Sequence, residues 1–324
     1  SNGPNSGTQP IATAFRPAPP PGIYIQAWVA RMRDPERELR ELAAGVVRDG
    51  LQGVVIHGFP RGLPRAWPRL MRAVTSQGTL ALAAFGLDGT KDTDGTPLTP
   101  KEKGECVAQV AADRSCSGTY LDAEGRWDRD AERAAIELGE ALRKGAPDAW
   151  VGDQPWFAID SHGELARSAM PDDKGGVFRG FPVDEFALSC VNGDRARQAY
   201  WANFFRQWGD DAYERIISWM ERDWSKIRPA MTARGLARTE AVTIQGYGHR
   251  KHGDVVDCAV DWAWSRGTRV VVWSEPVPER IAYEALRAAA KIRSLGFAPD
   301  GVPAGRAIRD AQAALGVFSD GVVG

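Results

Sequence analysis

Short runs of β-branched, aromatic and aliphatic residues alternate along this chain with longer stretches whose apolar positions recur at helical spacing. The first run, Ile23–Val29, predicts a strand. Pro35–Asp49 follows it with Leu39, Leu42, Ala43, Val46 and Val47 on one helical face. Gly53–His57, Leu80–Phe85, Gly118–Glu124, Trp150–Trp156, Ala196–Trp201, Glu240–Tyr247 and Thr268–Ser274 read as further strands. Arg65–Ser76, Pro100–Asp113, Arg129–Lys144, Ala212–Arg234, Val255–Ser265 and Glu279–Ser294 read as helices between or after them. A long Gly-rich, charged insertion over 157–180 and a short helix over Val183–Cys190 separate the fifth and sixth strands.

Strand–helix units repeated eight times predict an α/β fold with parallel strands and crossover helices, a (β/α)8 TIM barrel over 22–295. An open doubly wound sheet would place a glycine-rich phosphate loop after the first strand, where this chain has Gln26-Ala27-Trp28. Residues 1–21, rich in Gly, Ser and Pro, read as a flexible linker or tail. Residues 296–324 read as a linker followed by a short α-helical C-terminal extension, Arg306–Gly316, too small for a core of its own.

The chain has 324 residues, of which 43% are hydrophobic, enough to bury a sizeable core. Its 41 basic and 42 acidic residues leave a net charge of −1, which gives no pull toward nucleic acid or an anionic membrane. No apolar run reaches the ~18 residues of a membrane span, so no membrane insertion is expected. Ser1–Pro10 is polar and lacks the apolar stretch of a secretory signal. Cys106, Cys116, Cys190 and Cys258 are scattered without a CxxC and read as buried thiols, with a Cys106–Cys116 bridge as the alternative.

Candidate chemistry concentrates at Gly118-Thr119-Tyr120-Leu121-Asp122-Ala123-Glu124. Asp122 and Glu124, two apart on a strand, share one face, and at the C-terminal end of a barrel strand that face looks into the active-site mouth. Two carboxylates this close raise each other's cost of ionisation, so one tends to keep its proton. A protonated acid beside an ionised one suits cleavage of a glycosidic bond, with Glu124 as general acid. The plainer reading is a strand-end pair neutralised by Arg126 and Arg129. Other strand ends supply a lining of aromatic and hydrogen-bonding groups: Gln26, Trp28, His57, Asp153, Gln154, Trp156, Gln198, Tyr200, Tyr247, Trp273 and Glu275. Aromatic faces match sugar CH surfaces, and amides and carboxylates match hydroxyls. Glu275 could also serve as a nucleophile opposite Glu124 or cap the following helix. His249 and His252 lack convergent carboxylates, so no metal or other cofactor is expected.

Leu121-Asp122-Ala123-Glu124 resembles the DxE at the fourth strand of the barrel lysozymes of glycoside hydrolase family 25, and the end of the DxxDxDxE motif of family 18 chitinases. Phe181–Phe186 followed by Arg197–Trp201 is similar to a pattern in lysozyme-like barrels of phages and bacteria. Ala307-Ile308-Arg309-Asp310-Ala311-Gln312-Ala313-Ala314-Leu315-Gly316, then Asp320-Gly321-Val322-Val323-Gly324, resembles the opening of the peptidoglycan-binding domain 1 family, truncated here. Together these resemblances imply a lysozyme-like or N-acetylglucosaminidase-like enzyme that cuts a β-1,4 bond in peptidoglycan or a related polysaccharide. They imply a place outside the cell, in the periplasm or at the wall, or a role as a phage lysin. The chitinase likeness implies that Tyr200 hydrogen-bonds a substrate acetamide. Family 25 carries an aspartate at the end of the first strand where this chain has Gln26, which keeps open a second reading, a catalytically inactive glycan-binding barrel targeting the cell wall.

Overall fold

The computed structural model describes residues 16–58, 63–87, 97–122, 131–154, 158–159, 165–166, 195–199, 240–245, 269–274 and 277–278. Eight strands close into a barrel in which every neighbouring pair is parallel. In chain order these are β1 (Gly22–Trp28), β2 (Gly53–Gly58), β3 (Leu80–Gly86), β4 (Thr119–Asp122), β5 (Val151–Asp153), β8 (Arg195–Ala199), β9 (Glu240–Gln245) and β10 (Arg269–Ser274). The seam is closed by β1 against β10, with Gly22 level with Arg269 and Ala27 level with Ser274. Within the span expected to be a Gly-rich insertion, β6 (Ala158–Ile159) and β7 (Leu165–Ala166) form a small antiparallel pair apart from the barrel.

Four helices are described: α1 (Pro35–Arg48), α2 (Leu63–Thr75), α3 (Pro100–Ala111) and α4 (Ala131–Gly145). Their starts are chemically marked. The Asp34 carboxylate accepts from the Arg37 amide and Pro35 stands at the first turn of α1. Thr99 and Glu102 form a reciprocal capping box on α3, satisfying two amides that a helix start would leave open. Helix α1 ends where Gly50 takes φ +72°, letting the amides of Gly50 and Leu51 turn back onto Val47 and Val46. The helices expected after the sixth, seventh and eighth strands, the Val183–Cys190 helix and the C-terminal extension lie outside the described residues.

Strand alternation divides each strand between two surroundings. Tyr24, Val55, Leu82, Ala84, Tyr120, Trp150, Ala241 and Val271 form one buried cluster, the packed interior of the barrel. Residues between them, such as Ile23, Ile25, Val54, Ile56 and Leu121, are also buried, toward the helical layer. The Tyr120 ring meets the Trp150 indole edge-on at 5.4 Å, and the Arg269 guanidinium lies 4.9 Å from the Trp150 ring centroid.

The tail expected to be flexible over 1–21 requires a correction at its C-terminal end. From Arg16 onward it is docked across the N-terminal end of the barrel. The Arg16 guanidinium donates to the carbonyls of Ala111, Ala112 and Asp113 at the end of α3 and pairs with Asp148 at 3.1 Å. Pro19 is buried and its carbonyl accepts from Arg269, while the Tyr24 hydroxyl donates to the Pro20 carbonyl at 2.7 Å. The physical reason is that Arg16 finds helix-end carbonyls and a carboxylate, and Pro19 is buried with its carbonyl held by Arg269. Cys116 is a buried thiol, as the scattered pattern led us to expect, and Cys106, half-buried, is not bridged to it.

Candidate active site

Counting two residues onward from the interior cluster brings each strand to its C-terminal end and to one polar layer. On β1, Tyr24 leads to Gln26 and Trp28; on β2, Val55 leads to His57; on β4, Tyr120 leads to Asp122; on β10, Val271 leads to Trp273. After β5, Trp150 and Gly152 lead to Gln154, whose amide donates to the Leu121 carbonyl at 2.9 Å and so extends the β4–β5 pairing.

These side chains meet. His57 Nε2 lies 3.1 Å from Asp122 Oδ2. The histidine is 1% exposed and the aspartate side chain 15% exposed, so the pair sits at the floor of the mouth with its acidic member toward the opening. An ionised carboxylate only accepts, so in that state Nε2–H is the donor. On the other side the His57 ring packs on the Trp28 indole, centroids 4.5 Å apart and planes tilted by 49°. Gln154 donates through Nε2 to Gln26 Oε1 at 3.3 Å, and both glutamines are buried. Trp28 and Trp273 remain half-buried.

The His57–Asp122 contact crosses a strand. His57 is on β2 and Asp122 on β4, with β3 between them. The register sets Ala84 level with His57 and Gly86 level with Asp122. A methyl group and a hydrogen are all that β3 projects into the interior there, so the two polar side chains close over it. Ala84 and Gly86 are the residues that sequence reasoning missed. The available signal was the shrinking of every second side chain along β3, from Leu80 and Leu82 to Ala84 and Gly86.

Other expected site residues are less fully placed. Asp153 is level with Leu121 and Arg195, a register one step out of phase with Asp122 and Gln154. Gln198 is level with Thr243 on β9. Glu124, Trp156, Tyr200, Tyr247 and Glu275 lie outside the described residues, as do Arg126, Arg129, His249 and His252. Among the described residues, no group of three or more His, Cys, Asp or Glu could hold a metal ion, and no helix is long and apolar enough to cross a membrane.

This arrangement offers a carboxylate held by a buried imidazole, a neutral amide pair beside it and two partly open indoles at one end of a barrel. A carboxylate so placed can stabilise developing positive charge, and the indoles can receive an apolar ring face. No protein-family model matches the sequence, and no curated protein matches it either. Solved structures do share its fold. Endo-glycoceramidase II from Rhodococcus sp., in a complex with a cellobiose-like imidazole, superposes with a TM-score of 0.53 at 12% identity, over 80% of this chain and 75% of that one. Its complex with cellobiose-like isofagomine gives 0.50 at 12% identity, over the same shares. The catalytic domain of the major endoglucanase from Xanthomonas campestris pv. campestris gives 0.48 at 12% identity, over 77% of this chain and 84% of that one. At such identities the likeness shows a shared barrel fold.

Proposed function

We propose that this barrel is a glycoside hydrolase acting on peptidoglycan or a related N-acetylated polysaccharide, with its reaction centre at the end of β4. The observation that carries the reading is Asp122: a carboxylate at the C-terminal end of a barrel strand, directed into the mouth and anchored by His57, whose ring packs on the half-buried Trp28. The barrel end is where such folds assemble their chemistry from strand termini, and a sugar fits an aromatic wall with a polar floor. That the fold is shared with an endo-glycoceramidase solved with cellobiose-like molecules accords with a sugar-directed site. Because a barrel hosts many chemistries, the residues of the mouth bear more of the weight than the fold does.

In this reading Glu124, two residues beyond Asp122, is the general acid that protonates the leaving oxygen. Asp122 stays ionised and either stabilises the positive charge that develops at the anomeric carbon or orients a substrate N-acetyl group for internal attack. Tyr200 would hydrogen-bond that acetamide. The choice of a cell-wall glycan rests on the C-terminal Gln312–Leu315 and Asp320–Gly324 pattern and on the Asp122-Ala123-Glu124 resemblance. A second reading, a wall-binding barrel without catalysis, draws on Gln26: the end of β1 supplies a neutral amide engaged with Gln154 rather than a further carboxylate.

The deciding experiment compares wild type with Glu124→Gln on purified bacterial walls, chitin and a β-glucan, measuring reducing ends and bound protein. We expect wild type to release reducing ends and Glu124→Gln to bind without releasing them. Full activity in Glu124→Gln removes that residue from the mechanism. Binding by wild type without any reducing ends selects the binding module.

A further inference from the structure

The geometry points to His57 as a positioning residue that acts through Asp122, rather than as a group that touches substrate. This inference rests on the glycosidase reading above and deepens it at the same site.

At 1% exposure His57 has almost no surface to offer a ligand, although it stands at a strand end where a lining residue would be expected. One face of its ring is covered by Trp28 and its Nε2 is directed at Asp122 Oδ2. Ring packing and hydrogen bond together fix both the plane of the imidazole and the rotation of the carboxylate. An aspartate at the rim of a barrel otherwise has two free torsions and can swing toward any nearby cation. Here Oδ2 is tied to the floor by the imidazole. A charge-assisted bond also favours the ionised carboxylate, the state that stabilisation of an oxocarbenium-like centre or orientation of an acetamide requires. The small residues Ala84 and Gly86 are what permit the bond, because any larger side chain on β3 at those levels would stand between the partners.

His57→Phe keeps the ring and its packing on Trp28 but removes the donor, whereas His57→Gln restores an amide N–H at similar reach. On the polysaccharide that wild type cleaves, we expect His57→Phe to lower kcat by about 10- to 100-fold, the range a charge-assisted hydrogen bond supports. KM should stay within about twofold, because no substrate contact is lost. His57→Gln should recover most of kcat, and His57→Leu, which also lacks the donor, carries the comparison if His57→Phe does not fold. Independently of any substrate, 15N NMR of histidine-labelled protein reads the pair directly. The chain has 4 histidines, and the His57 signal is the one lost in His57→Gln. Asp122→Asn should move that Nε2 resonance.

An unchanged Nε2 resonance in Asp122→Asn overturns the pairing. Equal turnover by wild type and His57→Phe, or a raised KM at unchanged kcat, overturns the positioning role and leaves the glycosidase reading standing. A wild type that cleaves none of the glycans while the resonance still shifts sinks the glycosidase reading, and the catalytic role of His57 goes with it.

Discussion

Gly104 lies on α3 where that helix crosses α4, and replacing it by alanine sets two opposed terms against each other. An ideal Cβ there would fall 2.4 Å from the Leu138 carbonyl oxygen and 2.9 Å from the Ala141 Cβ. The nearer obstacle is main chain in the middle of α4, so no side-chain rotation relieves it. Ordinary contact would require the helices to part by about 1 Å, which sets the cost toward the upper end of the ~1–3 kcal/mol typical of overpacking. Against this, alanine is the better helix former by about 1 kcal/mol. The balance is a loss of about 2 kcal/mol, or roughly a 30-fold fall in the folding equilibrium constant. Gly145→Ala supplies the control. Its Cβ would meet the Ala108 Cβ at 2.6 Å, and Ala108→Gly removes that methyl. Urea denaturation of the four singles, the Gly145→Ala/Ala108→Gly double and the Gly104→Ala/Ala141→Gly double would measure the couplings. We expect Ala108→Gly to relieve Gly145→Ala by about 1 kcal/mol or more, and Ala141→Gly to leave Gly104→Ala unrelieved because the carbonyl remains. A Gly104→Ala protein as stable as wild type would refute the predicted loss, and a gain of about 1 kcal/mol would leave helix propensity as the only term. Full relief by Ala141→Gly would show that the methyl, not the carbonyl, was the barrier.

Burial pushes the Cys116 thiol up to about 12, and the thiol donates to the Gly118 carbonyl at 3.3 Å. At pH 8 only about one in 10,000 such groups is thiolate, so iodoacetamide followed by peptide mapping should label Cys106 and spare Cys116 until urea is added. The folded chain holds this proton more tightly than the unfolded one. Its contribution is therefore complete below the ordinary thiol value of 9.0 and is lost between there and about 12, at up to ~1.4 kcal/mol per pH unit. Cys116→Ala should flatten that part of the alkaline limb, and an unaltered limb would contradict the assignment. The hydrogen bond from Arg16 holds the Asp148 carboxyl below its ordinary value of 3.8. The anchor's contribution is thus present above that value and is lost as the pH falls below it. Arg16→Ala should release residues 16–21 to limited proteolysis at neutral pH, and an unchanged digestion pattern would show that the contacts of Pro19 and Pro20 with Arg269 and Tyr24 hold the segment without it.

The barrel was legible because its signal is repeated. Each strand needs only a short β-branched or aliphatic run, such as Gly53-Val54-Val55-Ile56 or Arg269-Val270-Val271-Val272, and each helix an apolar face. A misjudged boundary, as at Val151–Asp153 against the expected Trp150–Trp156, does not alter the count. Asp122 was legible for the same local reason, as the polar residue that ends an apolar strand. The His57–Asp122 bond was not, because it joins β2 to β4 and depends on what β3 omits. Nor was the docking of Arg16. A Pro-rich, polar stretch reads as free chain unless the carbonyls waiting for its guanidinium, contributed by residues 111–113, are known in advance. Gln26 could be named as lining, but its commitment to Gln154, 128 positions away in sequence, could not.

The stopper formed by Arg16–Pro21 gives the molecule a front and a back. Pro19 and Arg269 close over one end of the packed interior, and the Asp122 layer lies at the other. The stopper also fixes geometry for engineering. A tether or fusion partner joined upstream of Arg16 would meet the barrel at the end opposite the Asp122 layer. An immobilised protein held by that end would therefore present the Asp122 layer outward.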